Sequence, residues 1–363
     1  MRRCNMNIAK RNKIKNIQIN IDDTLLHAIK KMDREIVKLL IVNKNDNFYS
    51  LISIGDIQRA IISNHQLTEY ISTVLRDDIT VASEKDTIDE IKKKMLIHRA
   101  EFMPILDNKK RLIDVYFWNE LFDSDIKDEK RLILDIPVVI MAGGKGTRLK
   151  PITNIIPKAL IPLGEKTIIE IIIDNFNKIG VKEYFISLNY KSEMIEAYFN
   201  QVEHKNYRLN YFHESMPLGT AGSLSLLKDK IHKTFFISNC DILIDEDYIE
   251  IYNYHKEISN DLTIVGSLKH YDLPYGILET EENGKLKRLK EKPELTFLVN
   301  TGMYILEPEI LKMIPDNTHY HITDLIEKIN EKGGKVGVFP ISEKSLTDIG
   351  TWVEYQKMMQ ANY

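Results

Sequence analysis

Val138-Val139-Ile140-Met141-Ala142-Gly143-Gly144-Lys145-Gly146-Thr147-Arg148-Leu149-Lys150-Pro151, with Pro157-Lys158 close behind, is the stretch on which the reading of this chain turns. An apolar run of strand length stops abruptly in a loop with three glycines, and a cluster of cations follows. Glycine lets backbone N–H groups turn towards a ligand with no Cβ in the way, and such a nest suits the charge of a phosphate chain. Lys145, Arg148 and Lys158 add side-chain donors, and an arginine fork can grip phosphate oxygens. Two commoner phosphate loops are excluded. The pattern GxxxxGK[ST] is absent, and a GxGxxG fingerprint fails because the window starting at Gly144 ends in Leu149.

The full run GGxGTRLxP with its downstream Pro-Lys resembles the signature of the sugar-1-phosphate nucleotidyltransferases. That family joins a nucleoside triphosphate to a sugar phosphate. The resemblance extends from about Ile136 to the end of the chain. Strand-like and helix-like stretches alternate there: Thr167 caps a helix stopped at Gly180, Tyr184 to Leu188 is a strand, and Ser192 to Phe199 a helix. The pattern predicts an α/β fold, mainly a parallel doubly wound sheet of Rossmann-like kind. In such sheets ligands bind beyond the carboxyl ends of the strands. The resemblance therefore implies a nucleotide site at Ala142, Gly143, Gly144, Gly146 and Thr147. In the family an LGTAG segment at this place, here Leu218 to Gly222, lies along the base and ribose. The resemblance assigns Glu214 and Gly219 to the nucleobase, Gly219 because close backbone approach needs no side chain, and Thr220 to the nucleotide site.

Asp241, directly beyond the apolar run Thr234 to Ser238, stands where a hard Mg²⁺ ligand is expected. Asp348 matches the second metal ligand of the family, although Leu346 occupies the place of its usual tryptophan and Cys240 that of a glycine. Cys240 has no base beside it in sequence and is not expected to be a nucleophile. Tyr275, Gly276, Glu291 and Asn300 fall on the family's sugar-contacting motifs, with Lys292 on the sugar phosphate. Asp324 is equally well explained as a helix cap. Arg148, Lys158 and Lys292 are the expected catalytic cations.

Upstream, residues 8–123 contain one pattern twice (about 8–66 and 71–123). Each copy reads β-α-β-β-α, with strands predicted at Ile17 to Ile19 and Ile79 to Val81, and paired strands near 37–54 and 102–116. This resembles a tandem pair of CBS modules, which often bind adenine nucleotides. Ser53 and Asp56 match the phosphate- and ribose-contacting pair; Leu51 replaces a usual glycine, and the second copy has no such pair. The alternative is a pair that only mediates packing. Changing Asp56 is expected to alter regulation alone. Residues 124–135, charged and poor in aromatics, form the expected linker to a catalytic domain over 136–363.

The totals agree with two soluble domains: 363 residues, 43% hydrophobic and 28% charged. A formal net charge of −3 gives no bulk field for nucleic acid. The first residues are basic (Arg2, Arg3, Lys10, Arg11), but no apolar leader follows, so neither secretion nor membrane insertion is expected. Two cysteines, Cys4 and Cys240, exclude a disulfide framework and point to the cytoplasm. His27, His65 and His98 lack ligand-like spacing. The expected activity is nucleotidyl transfer from an NTP to a sugar 1-phosphate, with Mg²⁺. The CBS–transferase combination resembles GDP-sugar-forming guanylyltransferases of surface glycan synthesis, so GTP is favoured and a homo-oligomer expected. The alternatives are UDP- or dTDP-sugar formation, a cytidylyltransferase, or a non-catalytic nucleotide sensor.

Overall fold

Val138, Val139 and Ile140 are wholly withdrawn from solvent, and a strand buried on both faces needs cover on both. The computed structural model describes residues 8–98, 100–122, 133–203 and 205–360. Arg2, Arg3, Cys4 and most of the expected linker (124–132) lie outside them. The chain divides into two compact units, Met1–Lys130 and Arg131–Tyr363.

Among the described residues of the second unit, seven strands form one sheet in the order Arg208–His213, Glu183–Leu188, Val138–Met141, Phe235–Asn239, Glu294–Leu306, Leu262–Asp272, Val336–Ile341. The first four run parallel. Glu294–Leu306 runs against both its neighbours, and Leu262–Asp272 pairs in parallel with Val336–Ile341. The α/β sheet is thus mainly parallel, with one long reversed strand. Helix Ile168–Asn177 starts in a capping box: the Thr167 N–H donates to Glu170 at 2.8 Å, and the Glu170 N–H returns to the Thr167 hydroxyl. Its Phe176 packs on Phe236 and Tyr248, ring centroids 5.2 and 4.6 Å apart. Another cluster joins Val139, Phe235 and Ile237 to Leu224, Leu325 and Ile329. Phe236→Ala in such a core would cost roughly 3–5 kcal/mol.

The first unit repeats one ladder. Leu39–Lys44 pairs in parallel with Gln18–Asn20 and antiparallel with Asn47–Ser53. Phe102–Leu106 does the same with Ala82–Ser83 and Leu112–Phe117. The duplicated pattern is therefore a duplicated fold, although the opening strand of the second copy lies at Ala82–Ser83 rather than Ile79 to Val81. The copies touch through Glu101, whose carboxylate accepts the Lys38 N–H at 2.7 Å.

A polar knot ties helix Tyr248–Ile258 to the sheet. The buried His255 ring meets the Thr263 hydroxyl at 2.8 Å and the Glu307 carboxylate at 3.2 Å; Thr234 and Lys256 also donate to Glu307. Burial holds the His255 imidazole below its ordinary range, against the pull of Glu307. Burial would push the Glu307 carboxyl up, but hydrogen bonds from Lys256 and Thr234 and the Lys256 charge hold it down. Both folded groups resist protons that the unfolded chain accepts, so each contributes stability that is lost on acidification. The His255 share should disappear first, as pH falls below about 6.5, and the Glu307 share below about 4.5. Melting temperature should accordingly drop between pH 7.5 and 5.5, and the drop should shrink in His255→Gln.

Candidate functional site

The carboxyl ends of the parallel strands open onto a cavity of about 370 Å³. The glycine loop forms one wall. Gly146 has φ +60°, and a Cβ there would lie 2.8 Å from Thr153 Cγ2 and 3.1 Å from Lys158 Cβ, so both conformation and space require glycine. Thr153 is buried, and its hydroxyl donates to the Gly146 carbonyl at 2.9 Å. Tyr190 Oη donates to the Thr153 carbonyl, and the Lys191 ammonium to the carbonyls of Asn154 and Ile155. On the other side Trp352 Nε1 donates to the Lys150 carbonyl at 2.6 Å. The segment carrying Arg148 is thereby held from two directions.

Asp241 and Asp348 converge. Ile242–Ile244 pairs antiparallel with Leu346–Asp348, setting Ile242 opposite Asp348, and the Asp241 carbonyl accepts the Ile349 N–H at 2.7 Å. Lys158, only 8% exposed, donates to the Asp241 carboxylate. A Cβ on Gly350 would lie 2.6 Å from Asp348 Oδ1 and 3.1 Å from an Arg148 guanidinium nitrogen, which places those two side chains together. Asp348 Oδ1 is buried with no hydrogen-bond partner among the described residues. Burial first, and then the Asp241 charge, push the Asp348 carboxyl above its ordinary range, against Lys158 and the Gly350 amide. A cation between the two acids would relieve both conditions, so these residues fit a divalent ion. No group of three or more His, Cys, Asp or Glu among the described residues could hold a metal by itself, and further oxygen ligands would come from phosphates. Burial pushes the Cys240 thiol up to about 12, which keeps it protonated and unreactive.

Glu214 and the LGTAG loop form the far wall. The Ser187 hydroxyl and the Leu218 N–H donate to the Glu214 carboxylate, and a Cβ on Gly143 would lie 2.9 Å from its Oε1. Gly219 lines the cavity, and it and Gly222 also make room for the chain's own backbone. Cβ atoms there would lie 2.7 Å from the Tyr320 carbonyl oxygen and 2.5 Å from that of Thr318. The close approach is made by the chain's own backbone, a partner too distant in sequence to be seen from the motif. Asn239 and His319, given no role above, also line the cavity. Asn239 packs on Gly302, whose φ is +89°.

Gly143, Gly144, Gly146, Thr147, Arg148, Lys158, Glu214, Gly219, Thr220 and Asp241 are brought together in the lining, with Gly350 beside Asp348. Ala142 is buried behind it. Tyr275, Gly276, Glu291 and Lys292 are not in the lining. They are exposed at the base of the hairpin Ile277–Thr280/Leu286–Lys290, with Gly276 against the Glu291 carboxylate and Lys292 at φ +39°. Asn300 sits at a register irregularity of strand Glu294–Leu306, accepting the Gly302 N–H and donating to Tyr304 Oη at 2.7 Å. Asp324 accepts the His321 N–H at 2.8 Å, the capping role.

In the first unit, Ser53 and Asp56 form the capping box of helix Ile54–Ile62. Asp56 Oδ2 accepts from the Ser53 N–H and hydroxyl at 2.8 and 2.7 Å, and Oδ1 from Arg59 and, at 2.7 Å, Arg76. Asp56 is buried and fully engaged.

This architecture is that of an α/β protein, a mainly parallel sheet with a glycine loop and paired acids at its carboxyl edge. The family model described as nucleotidyl transferase matches residues 137–362, and the chain belongs to that family. The CBS domain model matches residues 13–63, the first of the two copies. The chain is 35% identical over 182 residues to the mannose-1-phosphate guanylyltransferase catalytic subunit beta of Dictyostelium discoideum, covering 48% of this chain and 51% of that one. It is 31% identical over 214 residues to the UTP–glucose-1-phosphate uridylyltransferase of a Synechocystis strain, covering 54% and 55%. The chain thus spans about half the length of the curated relatives it matches. A solved structure from Bacillus anthracis, provisionally named a glucose-1-phosphate thymidylyltransferase, shares the fold (TM-score 0.50, 19% identity, 62% of this chain and 94% of that one).

Two consequences are measurable. A buried carboxylate facing a like charge lowers stability at neutral pH, because its ionised form is disfavoured on folding. In chelator, Asp348→Asn should therefore melt a few degrees above wild type, and Mg²⁺ should raise the wild-type melting temperature more than that of the variant. Asp56→Ala should do more than alter regulation. Loss of the capping box should cost the first unit about 1–2 kcal/mol, seen as an earlier CBS transition in urea unfolding of the whole chain.

Proposed function

We propose that the protein transfers a nucleoside monophosphate from an NTP, GTP by preference, to a sugar 1-phosphate, forming an NDP-sugar and pyrophosphate. The observation that carries the reading is the meeting of the glycine loop, Arg148, Lys158, Asp241 and the Asp348–Gly350 turn at one cavity. Both curated relatives described above bear the names of sugar-1-phosphate nucleotidyltransferases.

In this reaction an oxygen of the sugar phosphate attacks the α-phosphorus in line. The bond from that phosphorus to the α,β-bridging oxygen breaks, and the electron pair leaves with pyrophosphate. The attacking phosphate is already ionised near neutral pH, so no general base is needed, in keeping with a loop of cations and glycines. Backbone N–H groups of Gly143, Gly144 and Gly146 and the Arg148 fork hold the triphosphate and offset charge building on the leaving group. Lys158 bridges phosphates from its place beside Asp241. Asp241 and Asp348 would hold Mg²⁺, which supplies charge neutralisation at phosphate oxygens when bound. Lys292 is assigned to the sugar phosphate, and Tyr275, Gly276, Glu291 and Asn300 to the sugar.

Glu214 supports the preference for guanine. A carboxylate at the base end accepts from the adjacent N1–H and N2–H₂ of guanine, whereas uracil and thymine present one N–H between two carbonyls that a carboxylate repels. The uridylyltransferase relative keeps the UDP-sugar reading as the second choice. At the CBS pair an adenine nucleotide would have to compete with Arg59 and Arg76 for Asp56. No described helix is long and apolar enough to cross a membrane, and we assign the reaction to the cytoplasm and to glycan precursor supply.

The test is pyrophosphate release with GTP, UTP, dTTP, CTP and ATP crossed against mannose 1-phosphate and glucose 1-phosphate. GTP should give the highest kcat/KM. Exposed Arg148 should tolerate Arg148→Ala without a change in melting temperature, while kcat falls at least about 10²-fold; near-normal turnover in that variant would refute the site.

A further inference from the structure

The described cavity lining holds two side-chain cations, Arg148 and Lys158, and it also includes Glu214, Gly219 and His319. His319 is seated there by its neighbours. The Tyr320 carbonyl accepts the N–H groups of Ala221 and Gly222 at 3.0 Å each, and the Tyr320 N–H donates to the Leu218 carbonyl at 2.9 Å. The Thr220 hydroxyl accepts the Ile322 N–H at 2.9 Å. Gly219 and Gly222 leave the room for this docking. The His321 ring meets His319 edge-on, centroids 4.6 Å apart, and restricts how the exposed imidazole can turn.

We propose that His319 is a specificity residue that touches the nucleobase, its ring N–H donating to the N7 or O6 acceptor of guanine. Glu214 then takes the two donors on the neighbouring edge. Among the common bases guanine alone offers a pair of donors beside O6 and N7; adenine puts an amino group where O6 would be. The proposal deepens the nucleotidyl-transfer reading and rests on it. The glycine loop grips what every NTP shares, and the His319–Glu214 corner distinguishes one NTP from another.

The experiment compares wild type, His319→Ala and His319→Gln in pyrophosphate release with GTP, 7-deaza-GTP, ATP, UTP and CTP, using mannose 1-phosphate and glucose 1-phosphate as acceptors. His319→Ala should raise the KM for GTP about ten-fold, leave kcat within about three-fold, and move the KM for UTP and CTP less than two-fold. His319→Gln, which keeps a donor, should recover part of the loss. A wild-type preference for GTP over 7-deaza-GTP that vanishes in His319→Ala places the bond at N7; equal use of both nucleotides, with the GTP defect intact, places it at O6. A GTP KM unchanged within two-fold, or an equal rise for every nucleotide, overturns the proposal. If wild type turns over no NTP, the reaction reading falls instead. Calorimetric binding of GTP and UTP to wild type and His319→Ala then decides the histidine's role, equal affinities in the two proteins counting against it.

Discussion

Two carboxylates that repel each other are held side by side by a ladder only three residues long, Ile242–Ile244 against Leu346–Asp348. The rest of the catalytic unit follows from that pairing. Lys158 must be buried to answer Asp241, so the loop bringing Lys158 must be fixed, and Thr153, Tyr190 and Trp352 fix it. Asp348 is left with a buried oxygen that no described side chain satisfies. An unpaired buried acceptor is costly in a fold built only for stability, and a cation between the two acids would satisfy it.

The sheet supplies the other half of the arrangement. Its parallel strands release three chain segments on one side: the glycine loop after Val138–Met141, Glu214 after Arg208–His213, and Asn239 to Asp241 after Phe235–Asn239. Their convergence needs no long-range steering, since the register of adjacent parallel strands already sets their ends together. The reversed strand Glu294–Leu306 carries Asn300 and Gly302, and Gly302 gives Asn239 its place.

Much of this was visible in the chain because the relevant signals are local. A strand ending in GGxG, an acid at the tip of an apolar run and a cap three residues before a glutamate are each decided by neighbours in sequence. The duplicated ladder of the first unit was likewise visible as matching offsets. What stayed hidden depends on partners brought close by folding alone. Gly219 carries a second constraint, the Tyr320 backbone packed where a Cβ would stand. Asp56 resembled a free ribose acceptor, and only the fold delivers Arg76 to it. His319 was given no role, and no spacing rule sets it in the cavity lining. Glu291 and Lys292 match by motif, and the base of their hairpin is exposed and outside the cavity lining.

The docking of Thr318–Tyr320 on the LGTAG loop bears on how such a protein can diverge. Two glycines on one segment are shaped to the main chain of another, so neither backbone can drift without the other, and any methyl group added at the seam is rejected. Residues whose side chains leave the seam are released from that restraint. Descendants of this chain could therefore exchange His319 freely while the architecture beneath it stood still, and a preference for one base could give way to another without redrawing the fold.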